Sequence, residues 1–425
     1  MKNILLKNGH VVDPLNNVDF VSDLLIIDGR IKSLSKNVKP EYENLEVVDV
    51  SGKFVVPGLI DCHVHLREPG YEEKETIETG SRSAAMGGFT TVVCEPNTNP
   101  PIDSVAAVED HVRRVGEKGL INIYTKVCIT KGSKGEVITD MEKFGCYRSV
   151  VAFSDDGNPV LRKEVMVRAL HTAAMSNKPV SPHCEDSGFY SVKDVTEEEL
   201  GFSPSKKFWN EANFVKRDIN CAGSIGCHVH FSHLSLKESI DYISEKREQG
   251  NITCEATPHH LLLDGDYRDI NGEIPVVNPP LRSQVDVQSI QKGLSDGIID
   301  VIASDHAPHS LPDKKSGAPG IIGLETTLGL VLTELVRPGI ITLRDAVLKM
   351  STNPAKIFKI SGGSLLPGMP ADVTVIDMER EWVVDINSFE SKSRNCPFQG
   401  WKLKGQAVMT IVSGNIVMRE GKIVF

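Results

Sequence analysis

Eight short segments of this chain share one construction, opening on apolar residues and closing on polar ones. They are KFVVPGLIDCHVH, GFTTVVCEPN, INIYTKVCIT, SVVAFSDDG, KPVSPHCED, CHVHFSHLS, NITCEATPHH and DVIASDHAPH. Stretches with helical character, such as KEVMVRALHTAAMSN and LKESIDYISEKREQG, separate several of them. Eight strands alternating with helices specify an α/β fold, a (β/α)8 TIM barrel. The two ends of the chain read differently. Residues 1–56 and 365–425 hold short strands punctuated by turns, SGN and EGK among them. We therefore expect a barrel over residues 57–364 and one small β-domain assembled from both chain ends.

Composition narrows the function classes. The 425 residues carry a net charge of −10, which argues against nucleic acid or an anionic membrane surface as the main partner. No run of about 18 uncharged apolar residues suggests a membrane span. Nine cysteines without a CxxC pair, behind an N-terminus unlike a secretory leader, fit a reducing cytoplasm.

In a TIM barrel the C-terminal strand ends share one face, where the catalytic groups of this fold lie. The polar ends here are His63, His65 and Arg67; Asn97; Asp155 and Asp156; His183 and Glu185; His233; His259 and His260; and Asp305, His306 and His309. Taken singly each has an ordinary reading. An HxH on a strand is common, SDDG makes a turn, and a lone histidine is more often packed or exposed than ligating. Together they place many imidazoles and carboxylates in one small volume, which is costly without compensation and which a divalent cation satisfies. Strand alternation gives Asp61, His63, His65 and Arg67 one shared direction and sends Cys62 and Val64 toward the helices. By the same alternation His233, nearest its strand end, is a better ligand than His228 or His230, which read as structural. His10, His111 and His171 read as surface or packing residues, and His259 and His260 stay open between support and structure.

The motifs PGLIDCHVHLREPG, GGFTTVVCEPNTNPP, AFSDDG, HCED, HVHFSHLS, NPPLR, ASDHAPH and PGIIGLET occur in this order. As a set they resemble the amidohydrolase superfamily and, within it, the dihydroorotases of the bacterial class I type. The likeness runs along the whole chain. It implies reversible cyclisation of N-carbamoyl-L-aspartate to L-dihydroorotate plus water, a step of pyrimidine biosynthesis, at a site with two zinc ions per subunit. Carried over residue by residue, it makes His63, His65 and Asp305 ligands of one ion and His183 and His233 ligands of the other. Asp155 becomes the bridge, with Asp156 as the alternative. Asp305 doubles as the proton-transferring catalytic group. His65, Arg67, Asn97, Asn278, His309 and the backbone of Pro319 and Gly320 become substrate contacts. A homo-oligomer is expected, and association with aspartate transcarbamoylase is compatible with the likeness.

Relatives such as hydantoinases bridge their metals with a carboxylated lysine at the end of strand four, where this chain has aspartate. That difference and NPPLR argue against an allantoinase or a hydantoinase. The complete ligand set argues against a non-catalytic scaffold of aspartate transcarbamoylase. One departure stands out. Position 95 is glutamate where the family usually shows methionine, and an extra carboxylate beside an anionic substrate is unwelcome. SLPDKKSGAPGIIG, residues 310–323, reads as a lid or substrate-contact loop. The charged stretch 186–220 has no reading.

Overall fold

The computed structural model describes residues 3–39, 42–185, 196–201 and 211–424. The outer sheet is built from both chain ends. β1 (Asn3–Asp13), β2 (Val18–Ile27), β3 (Arg30–Ser35), β4 (Leu45–Asp49) and β5 (Phe54–Pro57) come from the start of the chain. β13 (Val373–Val383), β14 (Lys402–Val412), β15 (Asn415–Arg419) and β16 (Lys422–Ile423) come from its end. The order is β16-β15-β14-β13-β5-β1-β2-β3, with β4 added beside β1. The seam lies between β5 and β13, antiparallel with Val55 opposite Val375. Its own apolar cluster holds it together, including Leu6, Leu24, Val55, Val373 and Ile411. The SGN and EGK turns are two-residue hairpin loops in which both central residues, Ser413–Gly414 and Glu420–Gly421, have positive φ. That twist matches the flanking strands.

The barrel strands are β6 (Leu59–Val64), β7 (Phe89–Cys94), β8 (Asn122–Val127), β9 (Val150–Phe153), β10 (Val229–Phe231), β11 (Ile252–Ala256) and β12 (Val301–Ile302). All pair in parallel. The segment expected as strand five is reduced to bridges from Val180 to Phe153 and Val229, and a bridge from Val64 to His306 closes the ring. Helices Lys163–Ser176 and Lys237–Lys246 occupy the two stretches with helical spacing. Within 186–220, residues 186–195 and 202–210 lie outside the described residues, while Glu197–Leu200 and Glu211–Ile225 are helical. No helix among the described residues is long and apolar enough to cross a membrane.

The run KFVVPGLIDCHVH is not one strand. Pro57–Gly58 divides it, so β5 belongs to the outer sheet and β6 to the barrel. A side chain at Gly58 would collide with Thr90, so the chain passes from one sheet to the other only with glycine there. Simple alternation also fails within β6. Its register against β7 slips between Asp61 and Val64. Cys62, expected against the helices, instead places its Sγ 3.0 Å from Glu255 Oε2 in the barrel interior. Asp61 does not join the histidines: it accepts hydrogen bonds from the Ser304 and His63 amides. It thereby sutures the first barrel strand to the last, and burial pushes its carboxyl up to about 7.

Candidate metal centre and substrate cavity

Six strand ends deliver the site. His63 lies in β6 and His65 just beyond it, and their ring nitrogens meet Asp305 from beyond β12. His65 Nε2 lies 3.2 Å and His63 Nε2 3.6 Å from Asp305 Oδ1. On the other side, Asp156 Oδ1 lies 3.4 Å from His63 Nε2, 3.3 Å from His233 Nε2 and 3.5 Å from His183 Nδ1. Asp156 Oδ2 is 3.5 Å from His65 Nε2. Among the described residues three sets of side chains are spaced to hold a metal ion: His63–His65–Asp305 and His63–Asp156–His233 at the barrel mouth, with His183 bordering the second, and Cys62–His230–Glu255 beneath them.

Of the two adjacent aspartates, Asp156 and not Asp155 faces the imidazoles. Asp155 turns away: it accepts from the Thr130 amide at 3.0 Å and also bonds the Thr130 hydroxyl. Burial pushes its carboxyl up to about 7. The reason is local. β9 ends at Phe153, and in the turn that follows, Ser154 Oγ caps the Asp156 amide at 3.1 Å, so Asp156 points over the barrel mouth.

The donors fit a cation. Glu255 Oε1 lies 2.6 Å from His63 Nδ1, and Asn97 Oδ1 lies 2.9 Å from His65 Nδ1. With those nitrogens donating, each ring turns an Nε2 lone pair inward. His63 Nε2 is buried and has no hydrogen-bond partner among the described residues. Burial opposes charge on His63, but Glu95, Glu255 and Asp156 outweigh it and draw positive charge to that ring. Converging imidazole lone pairs and carboxylates call for a cation, and imidazole with carboxylate suits zinc or a similar divalent ion. Glu255 is the orienting group that sequence reading missed. It also meets His230 Nε2 at 3.0 Å, so His230 braces the carboxylate that orients His63. Its only sequence signal was a carboxylate inside the apolar run ITCEA. Asn97 also reaches Asp156 Oδ2 through its amide nitrogen at 3.2 Å, so it orients ligands on both sides.

Above the cluster opens a cavity of about 280 Å3, lined by His65, Arg67, Asn97, Asp156, His183, His233, Asn278, Asp305, His309, Pro319 and Gly320, among others. Every residue expected to touch substrate is among them. The Arg67 guanidinium donates from Nε to Pro308 O at 3.1 Å and from Nη2 to His309 Nε2 at 3.2 Å. Its Nη1 has no partner among the described residues. Burial first, and then the neighbouring Arg67 charge, push His309 down to about 3, so it is neutral. Asn278 sets its amide nitrogen 3.1 Å from His183 Nε2, on the ring edge opposite the Nδ1 that approaches Asp156. Gly320 differs from expectation in one respect. Its N–H is already given to Val276 O at 2.9 Å, and its carbonyl accepts from Lys314 Nζ at 2.8 Å and Asn395 Nδ2 at 2.9 Å, so it offers a ligand surface and no free polar group. A side chain there would strike Ala307 and His309, which keeps the wall close to the cavity. Arg67, His233 and Asp305 all have positive φ, a conformation that non-glycine residues adopt at a cost and that collects at functional sites.

His260 is a support, and His259 packs against its ring at 4.4 Å with its own Nε2 buried and without a partner among the described residues. His260 bonds Thr257 and the Pro279 carbonyl, fixing the segment that carries Asn278. Glu95 is also resolved. It lies wholly buried below the cluster, ion-paired with Lys126. Burial opposes charge on Lys126, but Glu95 and Glu255 hold its pKa above the ordinary lysine value.

Comparison with known proteins places this geometry. The amidohydrolase family model matches residues 54–417. The dihydroorotase of Pelotomaculum thermopropionicum is 44% identical, over 98% of this chain and 99% of its own. That of Acetivibrio thermocellus is 41% identical at the same coverage. That of Aquifex aeolicus is 42% identical, over 99% of this chain and 100% of its own. Among solved structures, the L-hydantoinase of Arthrobacter aurescens superposes with a TM-score of 0.88 over 100% of this chain and 98% of its own, at 24% identity. The dihydropyrimidinase of Brevibacillus agri gives 0.86 at 22% identity, over 99% and 96%. At those identities the likeness speaks for the fold.

Proposed function

The chain belongs to the amidohydrolase family, and from that premise we propose that it is a dihydroorotase, interconverting N-carbamoyl-L-aspartate with L-dihydroorotate and water. One observation carries the reading: four imidazoles and two carboxylates converge in a chain over 40% identical, end to end, to dihydroorotases. His63, His65 and Asp305 would hold one divalent cation, His183 and His233 a second, with Asp156 between them. Zinc is the cation the donor set favours, at two per chain. When bound, such ions supply Lewis-acid polarisation of the ring carbonyl and acidify water.

The chain's own groups do the rest. Arg67, with Nη1 uncommitted, clamps the carboxylate that both substrate and product carry. His309, being neutral, orients that guanidinium and adds a polar edge. Asp305 moves the proton. In hydrolysis it takes it from water and gives it to the ring nitrogen as the C–N bond breaks. In cyclisation it removes it from the attacking carbamoyl N–H while water leaves. Its position supports this, since it meets two imidazoles and still lines the substrate cavity. A hydantoinase reading is the second candidate because of the structural neighbours. Against it stands Asp156 at the end of the fourth strand, where lysine-bridged relatives carry a carboxylated lysine.

The test is metal per chain measured beside turnover of dihydroorotate, hydantoin and allantoin. We expect two metals and a strong preference for dihydroorotate. Metal-loaded protein that leaves dihydroorotate untouched overturns the reading.

A further inference from the structure

A fully buried ion pair sits where the mechanism has no use for one. Glu95 follows β7 and Lys126 lies in β8, and both side chains are wholly removed from solvent. Glu95 Oε1 stands 3.6 Å from His63 Nε2, the nitrogen that Asp156 Oδ1 approaches at 3.4 Å and Asp305 Oδ1 at 3.6 Å. To that nitrogen, Glu95 is as near as the carboxylates that border the metal positions. Yet it belongs to none of the three sets of side chains that, among the described residues, are spaced to hold an ion. The ammonium of Lys126 contacts the same Oε1.

Lys126 is itself tethered. It donates to Ser181 Oγ at 3.0 Å, and Ser181 Oγ is bonded to Ser232 Oγ at 3.0 Å. The Phe358 ring lies 5.7 Å from its Nζ. A carboxylate on a flexible stem, beside a divalent cation and without a counter-charge, would swing to the metal. A buried pair of this kind is weak evidence of stability, because an apolar pair of similar size often serves as well.

We propose that Lys126 is a positioning residue: it holds the Glu95 carboxylate on the barrel floor and keeps it out of the coordination sphere of the ion at His63. The pair then presents no net charge to an anionic substrate. The inference rests on the metal-centre reading above.

The test compares Lys126→Met, Lys126→Arg, Glu95→Met and the double variant Glu95→Met/Lys126→Met, all loaded with cobalt(II). Visible absorption reports coordination number, and chelator competition reports affinity. Lys126→Met frees Glu95 as an added ligand, so its cobalt bands weaken and its metal affinity shifts by about tenfold or more. Lys126→Arg, Glu95→Met and the double variant keep the parent spectrum. If Lys126→Met does not fold, the double variant decides: a folded double variant with the parent spectrum supports the inference, and one with altered bands overturns it. A Lys126→Met protein with unchanged bands and affinity also overturns it. A parent protein that binds no metal fails earlier, and sinks the metal-centre reading instead.

Discussion

Adjacent aspartates at the end of β9 do opposite jobs. Asp156 faces four imidazoles, and Asp155 is spent on Thr130. Asp156→Asn should lower metal content and cut turnover by about a hundredfold or more, whereas Asp155→Asn should keep its metal and lose only stability. Metal analysis of the two purified variants distinguishes them, and the reverse pattern would restore Asp155 as the bridge. Asp305→Asn should abolish turnover while retaining most of its metal, read by the same analysis beside a ring-closure assay. Arg67→Ala should raise KM with metal unchanged. Glu255→Gln weakens the hold on His63 and should cost about 10- to 100-fold in metal affinity. The choice between Asp155 and Asp156 was not legible in the sequence, because strand alternation stops at Phe153 and the turn that follows decides which carboxylate rises. His63, His65, His183, His233 and Asp305 were legible because each ends a strand on a face where all strand ends meet.

At the scale of elements, the outer sheet and the barrel are stitched by Asp372. It accepts from the Ser413 amide at 2.7 Å and from the Asn122 side-chain amide at 2.9 Å, joining a hairpin of the sheet to the barrel. Burial pushes its carboxyl from 3.8 up to about 6. A carboxyl raised on folding binds its proton more tightly in the folded state. Its contribution is therefore greatest below pH 3.8 and is lost as pH rises through about 6, a swing on the order of 3 kcal/mol. Asp372→Asn lacks that swing. Denaturation series of both proteins between pH 4 and 8 should diverge by about that amount, with the parent falling more steeply; parallel curves would exclude it. The same region shows what patterning hides. KFVVPGLIDCHVH reads as one apolar strand, but Pro57–Gly58 splits it between two sheets. The slipped register at Asp61–Val64 then defeats alternation for Cys62 and Asp61. Charges inside apolar strands, Lys126 and Glu255, are visible in the sequence as exceptions, but their partners come from other strands and appear only when the barrel is closed.

For the whole molecule, a centre drawing on strands that span residues 63 to 305 couples metal to stability. Stripping the ions should lower the melting temperature, and readdition should restore it. At free metal a thousand times Kd the stabilisation is about 4 kcal/mol per site. The outer sheet carries a different consequence, one of timing. β5 takes its antiparallel neighbour from β13, and residues 58–372 lie between them. At roughly 5–20 residues per second of synthesis, the open edge of β5 waits some tens of seconds for the strand that covers it. An unpaired strand edge is a template for the wrong neighbour. A ribosome halted before Val373 therefore leaves a barrel with a sticky flank, and a chain truncated there should aggregate even though every group of the candidate site has already been made.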